Sequence, residues 1–134
     1  MPKGNVLVVE DDDSIRRLLI EYLEQHSGFS VDGARDGVDA LHQVSMKKYA
    51  VVVLDVMMPY MTGIDFLDSL QVLTSDPSFK HLDTLPAVIV ITSASPEQIS
   101  TSDIEQRFPS FVRRVFRKPL VPGELARCVE ELLG

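Results

Sequence analysis

Only one cysteine, Cys128, occurs in the 134 residues, so no internal disulfide can form and the chain suits a reducing compartment. Basic residues are outnumbered 13 to 20, leaving a net charge of −7. That balance disfavours non-specific attraction to nucleic acid or to an anionic membrane. No apolar run approaches bilayer-spanning length, and Met1-Pro2-Lys3-Gly4-Asn5 leads into a short apolar run bounded by acids, not into a signal peptide. Neither a G-x-x-x-x-G-K-S/T loop nor a G-x-G-x-x-G run is present, which withdraws support from ATP and dinucleotide binding. Internal repeats, low-complexity tracts and domain boundaries are also missing. With 45% hydrophobic and 25% charged residues, an ordinary balance for a globular protein, the expectation is one compact domain over residues 1–134, in the cytoplasm.

What is there is organised around Ala50-Val51-Val52-Val53-Leu54-Asp55. The apolar run is too short for a helix, and its adjacent valines suit a strand covered on both faces, as in parallel sheets. Asp55 then falls at the strand's carboxyl end, where open α/β sheets build their sites. Taken alone, an Asp beginning a polar loop is an equally ordinary reading. Val6-Leu7-Val8-Val9 is a second such run, ending in Glu10, Asp11, Asp12 and Asp13.

Ile15, Leu18, Leu19, Tyr22 and Leu23 make a helical stripe capped by Asp13 or Ser14 and closed by Gly28. Phe29 to Gly33 is a weak strand. Asp36 caps a second helix, with Asp39 three residues on and Val38, Leu41 and Val44 as its apolar side. A third helix runs from about Gly63 to Leu73, and Thr74 to Leu85 reads as a long loop. Pro86 to Ile91 is a strand ending at Thr92, and Ser95-Pro96 opens a fourth helix toward Phe108. Phe111 to Phe116 is an edge strand carrying Arg113 and Arg114, followed by Lys118-Pro119. Leu125, Cys128, Val129 and Leu132 stripe a closing helix, on which Cys128 is a small core residue. Strand and helix alternating five times specify an α/β domain with a mostly parallel sheet and right-handed crossovers.

Such a sheet gathers the residues that follow its strands on one rim: Glu10, Asp11, Asp55, Thr92 and Lys118. Crowded carboxylates raise one another's pKa unless a cation is present, and Mg²⁺ is the hard ion that accepts a few carboxylates while keeping waters. Carboxylate, hard metal, hydroxyl and ammonium around one point suit phosphoryl transfer. Asp55 is then the nucleophile, Mg²⁺ and Lys118 neutralise developing charge, and Thr92 donates a hydrogen bond.

Val-Val-Glu-Asp-Asp after the first strand, Leu-Asp-Val-Met-Met-Pro-Tyr-Met-Thr-Gly around Asp55, Ile-Thr-Ser after the fourth and Arg-Lys-Pro after the fifth resemble the receiver domain of bacterial two-component response regulators. The match runs from about Asn5 to Leu133. The resemblance implies a flavodoxin-like five-stranded sheet of order 2-1-3-4-5 with five helices. It makes Asp55 the phosphoacceptor, with Asp11, Asp55 and the Met57 carbonyl holding Mg²⁺. Glu10 acts through a metal-bound water, Thr92 binds the phosphoryl group and Lys118 pairs with it. More than one alignment of the acidic run is open; setting Ile15-Arg16-Arg17 against the family's first helix makes Glu10 and Asp11 the acidic pair and leaves Asp12 and Asp13 as loop and cap.

The family's usual aromatic switch position, three before the lysine, holds Val115 here. The neighbouring Phe116 falls on the other side of a regular strand unless a bulge turns it inward. The loop from Thr74 to Leu85 exceeds the family's common form. Met57 either shields an acyl phosphate or merely packs, and Arg113, Arg114 and Arg117 read better as a solvated edge than as a partner surface. The implied function is a switch: a sensor histidine kinase or histidine phosphotransfer protein supplies the phosphoryl group, and a surface near the fourth helix and fifth strand presents the change to a downstream protein. Its only catalysis is phosphorylation of its own Asp55 and the loss of that group. With nothing after Gly134, the expectation is a stand-alone receiver or a piece of a longer hybrid protein. A phosphorylation-independent binding module is the alternative.

Overall fold

The computed structural model describes residues 4–25, 29–55, 63–74, 86–92, 106–109, 112–118 and 121–133. Strands β1 (Gly4–Val9), β2 (Phe29–Ala34), β3 (Val51–Asp55), β4 (Ala87–Thr92) and β5 (Val112–Arg117) form one parallel sheet of order β2-β1-β3-β4-β5. Helices α1 (Asp13–Glu24), α2 (Gly37–Met46), α3 (Gly63–Thr74) and α4 (Pro122–Leu133) accompany it. The helix expected from Ser95 falls largely outside the described residues, with Gln106 and Arg107 helical. Thr74, expected to open a loop, instead ends α3, and 75–85 lie outside the described residues. Among the described residues no helix is long and apolar enough to cross a membrane.

Strand alternation builds two cores. Leu7, Val9, Val52, Leu54, Val88 and Val90 turn to the layer of Ala40, Val44, Phe66, Leu67 and Leu70 on α2 and α3. Val6, Val8, Val51, Val53, Ile89 and Ile91 turn to Leu19 and Leu23 of α1 and to Leu125 and Val129 of α4. The central strands therefore have no wet face, which explains their unbroken apolar runs. Each fully buried Leu or Phe contributes about 1.5–3 kcal/mol of transfer free energy.

One expectation about a helix start is corrected and another holds. The N-cap of α1 is Asp12, whose Oδ1 accepts from the Ile15 amide at 3.0 Å; Asp13 and Ser14 are already helical. The cap belongs to the acid whose carboxylate reaches the third amide onward, and in a run of acids only backbone geometry selects it. Asp36 does cap α2 by accepting from the Asp39 amide at 2.8 Å, while Asp39 Oδ2 accepts from the Arg35 amide at 3.0 Å, one residue upstream of a capping box. The α1 stripe is also only half buried. Leu19 and Leu23 are in the core, but Ile15 and Leu18 are 44% and 59% exposed. On α2, Val38 is exposed and the buried side is Gly37, Ala40 and Val44.

The edge strand β5 carries a bulge. Val88 pairs with Val112 and Ile89 with Arg114, leaving Arg113 as the extra residue. The irregularity lies upstream of Phe116 and does not turn it inward: Val115 packs against the α2/α3 core and Phe116 against the α1/α4 core. Arg113, Arg114 and Arg117 are exposed, and the Arg114 guanidinium lies 5.0 Å over the Phe116 ring.

Candidate functional site

Glu10 follows the last residue of β1, Asp55 ends β3 and Lys118 follows β5. The register Val9↔Leu54 sets Glu10 beside Asp55, and Asp55↔Ile91 and Thr92↔Arg117 carry the rim across to Lys118. Carboxylate oxygens of Glu10, Asp11 and Asp55 lie within 4.8 Å of one another. Lys118 Nζ stands 3.4 Å from Asp55 Oδ2. Thr92 is the last residue of β4; its side chain, like the whole of Met57, lies outside the described residues.

The sheet buries the two central acids almost completely, Glu10 to 4% and Asp55 to 2% exposure, while Asp11 is exposed. Burial, reinforced by the hydrogen bond and charge of Asp55, pushes Glu10 well above the ordinary carboxylate range. Its Oε1 accepts from the Asp12 amide at 3.3 Å. Two carboxylates with sealed bases and one open member form an all-oxygen, anionic donor set, for which one half-exposed ammonium is incomplete compensation. That set fits a hard divalent cation and could hold one. Beside it, Glu10, Lys118, Ile15, Leu18, Leu19 and Ile91 line a cavity of about 240 Å³, so the exposed half of the α1 stripe forms an apolar lip next to the acids.

One contributor lies outside the sequence expectations. Arg16 of α1 donates from Nη1 to the main-chain oxygen of Glu10 at 2.8 Å and pairs through Nη2 with Asp13. Its signal in the sequence is indirect: Gly33, inside β2, marks a place where another chain segment passes close.

Residues 6–129 match the family model described as the response regulator receiver domain. The chain is 31% identical over 130 residues to the transcriptional regulatory protein SrrA of Staphylococcus aureus, covering 97% of this chain and 48% of SrrA. It thus spans about half the length of the curated relatives it matches. Among solved structures, the receiver domain of the Francisella response regulator 1452 superposes with a TM-score of 0.77 at 28% identity, over 97% of this chain and 96% of that one. A sensor protein from Polaromonas sp. JS666 gives 0.76 at 26% identity, over 98% and 97%. The chemotaxis protein CheY4 of Vibrio cholerae gives 0.75 at 23% identity, over 96% and 98%, a likeness of fold.

Proposed function

The chain belongs to the response regulator receiver domain family of two-component systems, and from that premise we propose that it is a phosphorylation-activated switch whose acceptor is Asp55. The observation that carries this reading is the placement of Asp55: sealed at its base, last in β3, grouped with two further carboxylates and faced by the Lys118 ammonium.

Glu10, Asp11 and Asp55, with the main-chain oxygen of Met57, are the residues that would hold Mg²⁺, which supplies charge neutralisation for an incoming phosphoryl group. An Asp55 oxygen attacks the phosphorus of a phosphohistidine on a sensor kinase or phosphotransfer protein. The P–N bond breaks, its electron pair stays on the imidazole nitrogen, and that nitrogen is protonated as it leaves. Lys118 faces the transferred oxygens, and the Thr92 hydroxyl donates to one of them. The low exposure of Asp55 limits approach to the rim side, which favours a donor presented there. The acyl phosphate then shifts a surface near β5 that a downstream protein reads. The net charge of −7 gives neither nucleic acid nor membrane an electrostatic foothold, and the single cysteine suits a reducing, cytoplasmic location.

Val115 at the expected aromatic position supports a second reading, a binding module that keeps the fold without phosphorylation. One experiment separates them: incubation with Mg²⁺ and acetyl phosphate, followed by intact mass. The switch adds one phosphoryl group to wild type and none to Asp55→Asn. An unmodified wild type supports the module, and a modified Asp55→Asn moves the acceptor elsewhere.

A further inference from the structure

The carbonyl that Arg16 holds belongs to the peptide joining Glu10 to Asp11. A peptide unit is planar, so fixing that oxygen fixes the plane and with it the direction in which Asp11 leaves Glu10. The other side of Glu10 is tied as well, its amide donating to the Ala34 oxygen at 3.1 Å. Both main-chain groups of the first acid are therefore clamped, one by the end of β2 and one by α1.

The clamp is itself seated. The Arg16 side chain is only 16% exposed and its stem crosses Gly33. A Cβ on Gly33 would stand 3.1 Å from Arg16 Cδ, 3.4 Å from its Cγ and 2.8 Å from Ile20 Cδ1. A side chain there must push Ile20 Cδ1 aside and press the Arg16 stem back by a few tenths of an ångström. Asp13 anchors the second guanidinium nitrogen, and Gly33 is held from the opposite direction, its oxygen accepting from Gln43 Nε2 at 2.8 Å. A guanidinium serves because its planar fork grips a carbonyl and a carboxylate at once with charge-assisted bonds.

We infer that Arg16, seated on Gly33, is a positioning residue that presets the Glu10–Asp11 peptide so that both carboxylates converge with Asp55 on a divalent cation. This rests on the functional reading above. Arg16 touches neither cation nor phosphoryl group; it acts through the peptide it holds.

The test uses the whole chain in four forms: wild type, Arg16→Met, Arg16→Lys and Gly33→Ala. Isothermal titration with MgCl₂ gives the dissociation constant, and phosphoryl uptake from acetyl phosphate is followed against Mg²⁺ concentration. Arg16→Met keeps the stem on Gly33 and removes the donors. It is expected to weaken Mg²⁺ binding about 10-fold, the scale of losing a group that orients metal ligands, and to raise the Mg²⁺ concentration for half-maximal uptake while the plateau at saturating Mg²⁺ is kept. A general packing lesion would lower the plateau as well. Arg16→Lys, which retains one donor, restores most of the affinity, and Gly33→Ala, which crowds the intact arginine's stem, weakens binding. Wild-type affinity in Arg16→Met, or Arg16→Lys no tighter than Arg16→Met, overturns the inference. A wild type that binds Mg²⁺ but takes no phosphoryl mass sinks the switch reading instead, and the affinities still decide the role of Arg16.

Discussion

Glu10 and Asp55, at the carboxyl ends of neighbouring strands, hold their carboxylates against one another at a rim where each is almost sealed from water. Folding forces this proximity, because the register of β1 on β3 and the burial of both strands leave neither residue another place to go. Without a divalent cation the pair is a source of instability that Lys118 only partly offsets. Asp55→Asn should therefore be more stable than wild type in chelator, by about 1–2 kcal/mol. Added Mg²⁺ should narrow or reverse the gap, since a cation held by the three carboxylates would favour the wild-type native state. Urea titrations in EDTA and in Mg²⁺ measure both. A mutant less stable than wild type in EDTA contradicts the repulsion.

The sequence displays this rim because parallel central strands must be apolar on both faces, so the first acid after each run stands at the carboxyl end of its strand. Val6 to Val9 before Glu10, and Val51 to Leu54 before Asp55, mark the two carboxylates by contrast. The helices are less legible. A 3.6-residue stripe gives a helix's apolar side without saying how much of its length the core covers, and so Ile15 and Leu18 are exposed beside the acids. In the acidic run the sequence points to Asp13 or Ser14 as the cap, and φ and ψ choose Asp12 instead. Arg16 is invisible for another reason: an arginine on a helix is ordinary, and only the opposing glycine in β2 betrays it.

Away from the rim, Asp32 accepts from the Tyr49 hydroxyl at 2.7 Å and from Lys47 Nζ at 2.9 Å. Burial alone would raise its pKa, but these two donors outweigh it and hold Asp32 below its ordinary 3.8. A depressed carboxylate stabilises the fold fully above the unfolded value and loses that contribution as pH falls through the folded one. Tyr49→Phe should cost about 1–2 kcal/mol at neutral pH, since Tyr49 is buried and bonds a charged acceptor. The cost should shrink as pH falls below the unfolded value of 3.8 and through the lower folded one, where native Asp32 takes up a proton. Denaturation at pH 7 and pH 3 gives the comparison, and an equal loss at both would place the effect in packing.

Cys128 is buried against the sheet, and burial pushes its thiol above the ordinary value. Thiolate is the reacting form, so the folded chain should resist alkylation. Iodoacetamide should label the native protein at least ~100-fold more slowly than the urea-unfolded chain, with the labelled fraction tracking unfolding. Rapid native labelling would mean that α4 opens locally from the sheet.

Val115, where the family usually carries an aromatic residue, and its neighbour Phe116 face opposite layers of the sheet. Val115 shares the α2/α3 core with Leu54, the residue before Asp55, while Phe116 lies in the opposite layer under the Arg114 guanidinium. If side-chain contact carries the effect of Asp55 to the β5 surface, it runs through the small aliphatic residue and the neighbouring ring is a bystander. Phe116→Leu, a partial loss of side-chain volume at a half-buried site, should then lower stability by about 1 kcal/mol and leave phosphoryl uptake within twofold of wild type. Val115→Ala removes two methyl groups from the core that Leu54 occupies, so it should cost about 1–2 kcal/mol and alter the amide shift changes that phosphorylation produces along β5. Uptake that falls severalfold in a folded Phe116→Leu would show that the ring reaches Asp55 by contacts other than these two layers.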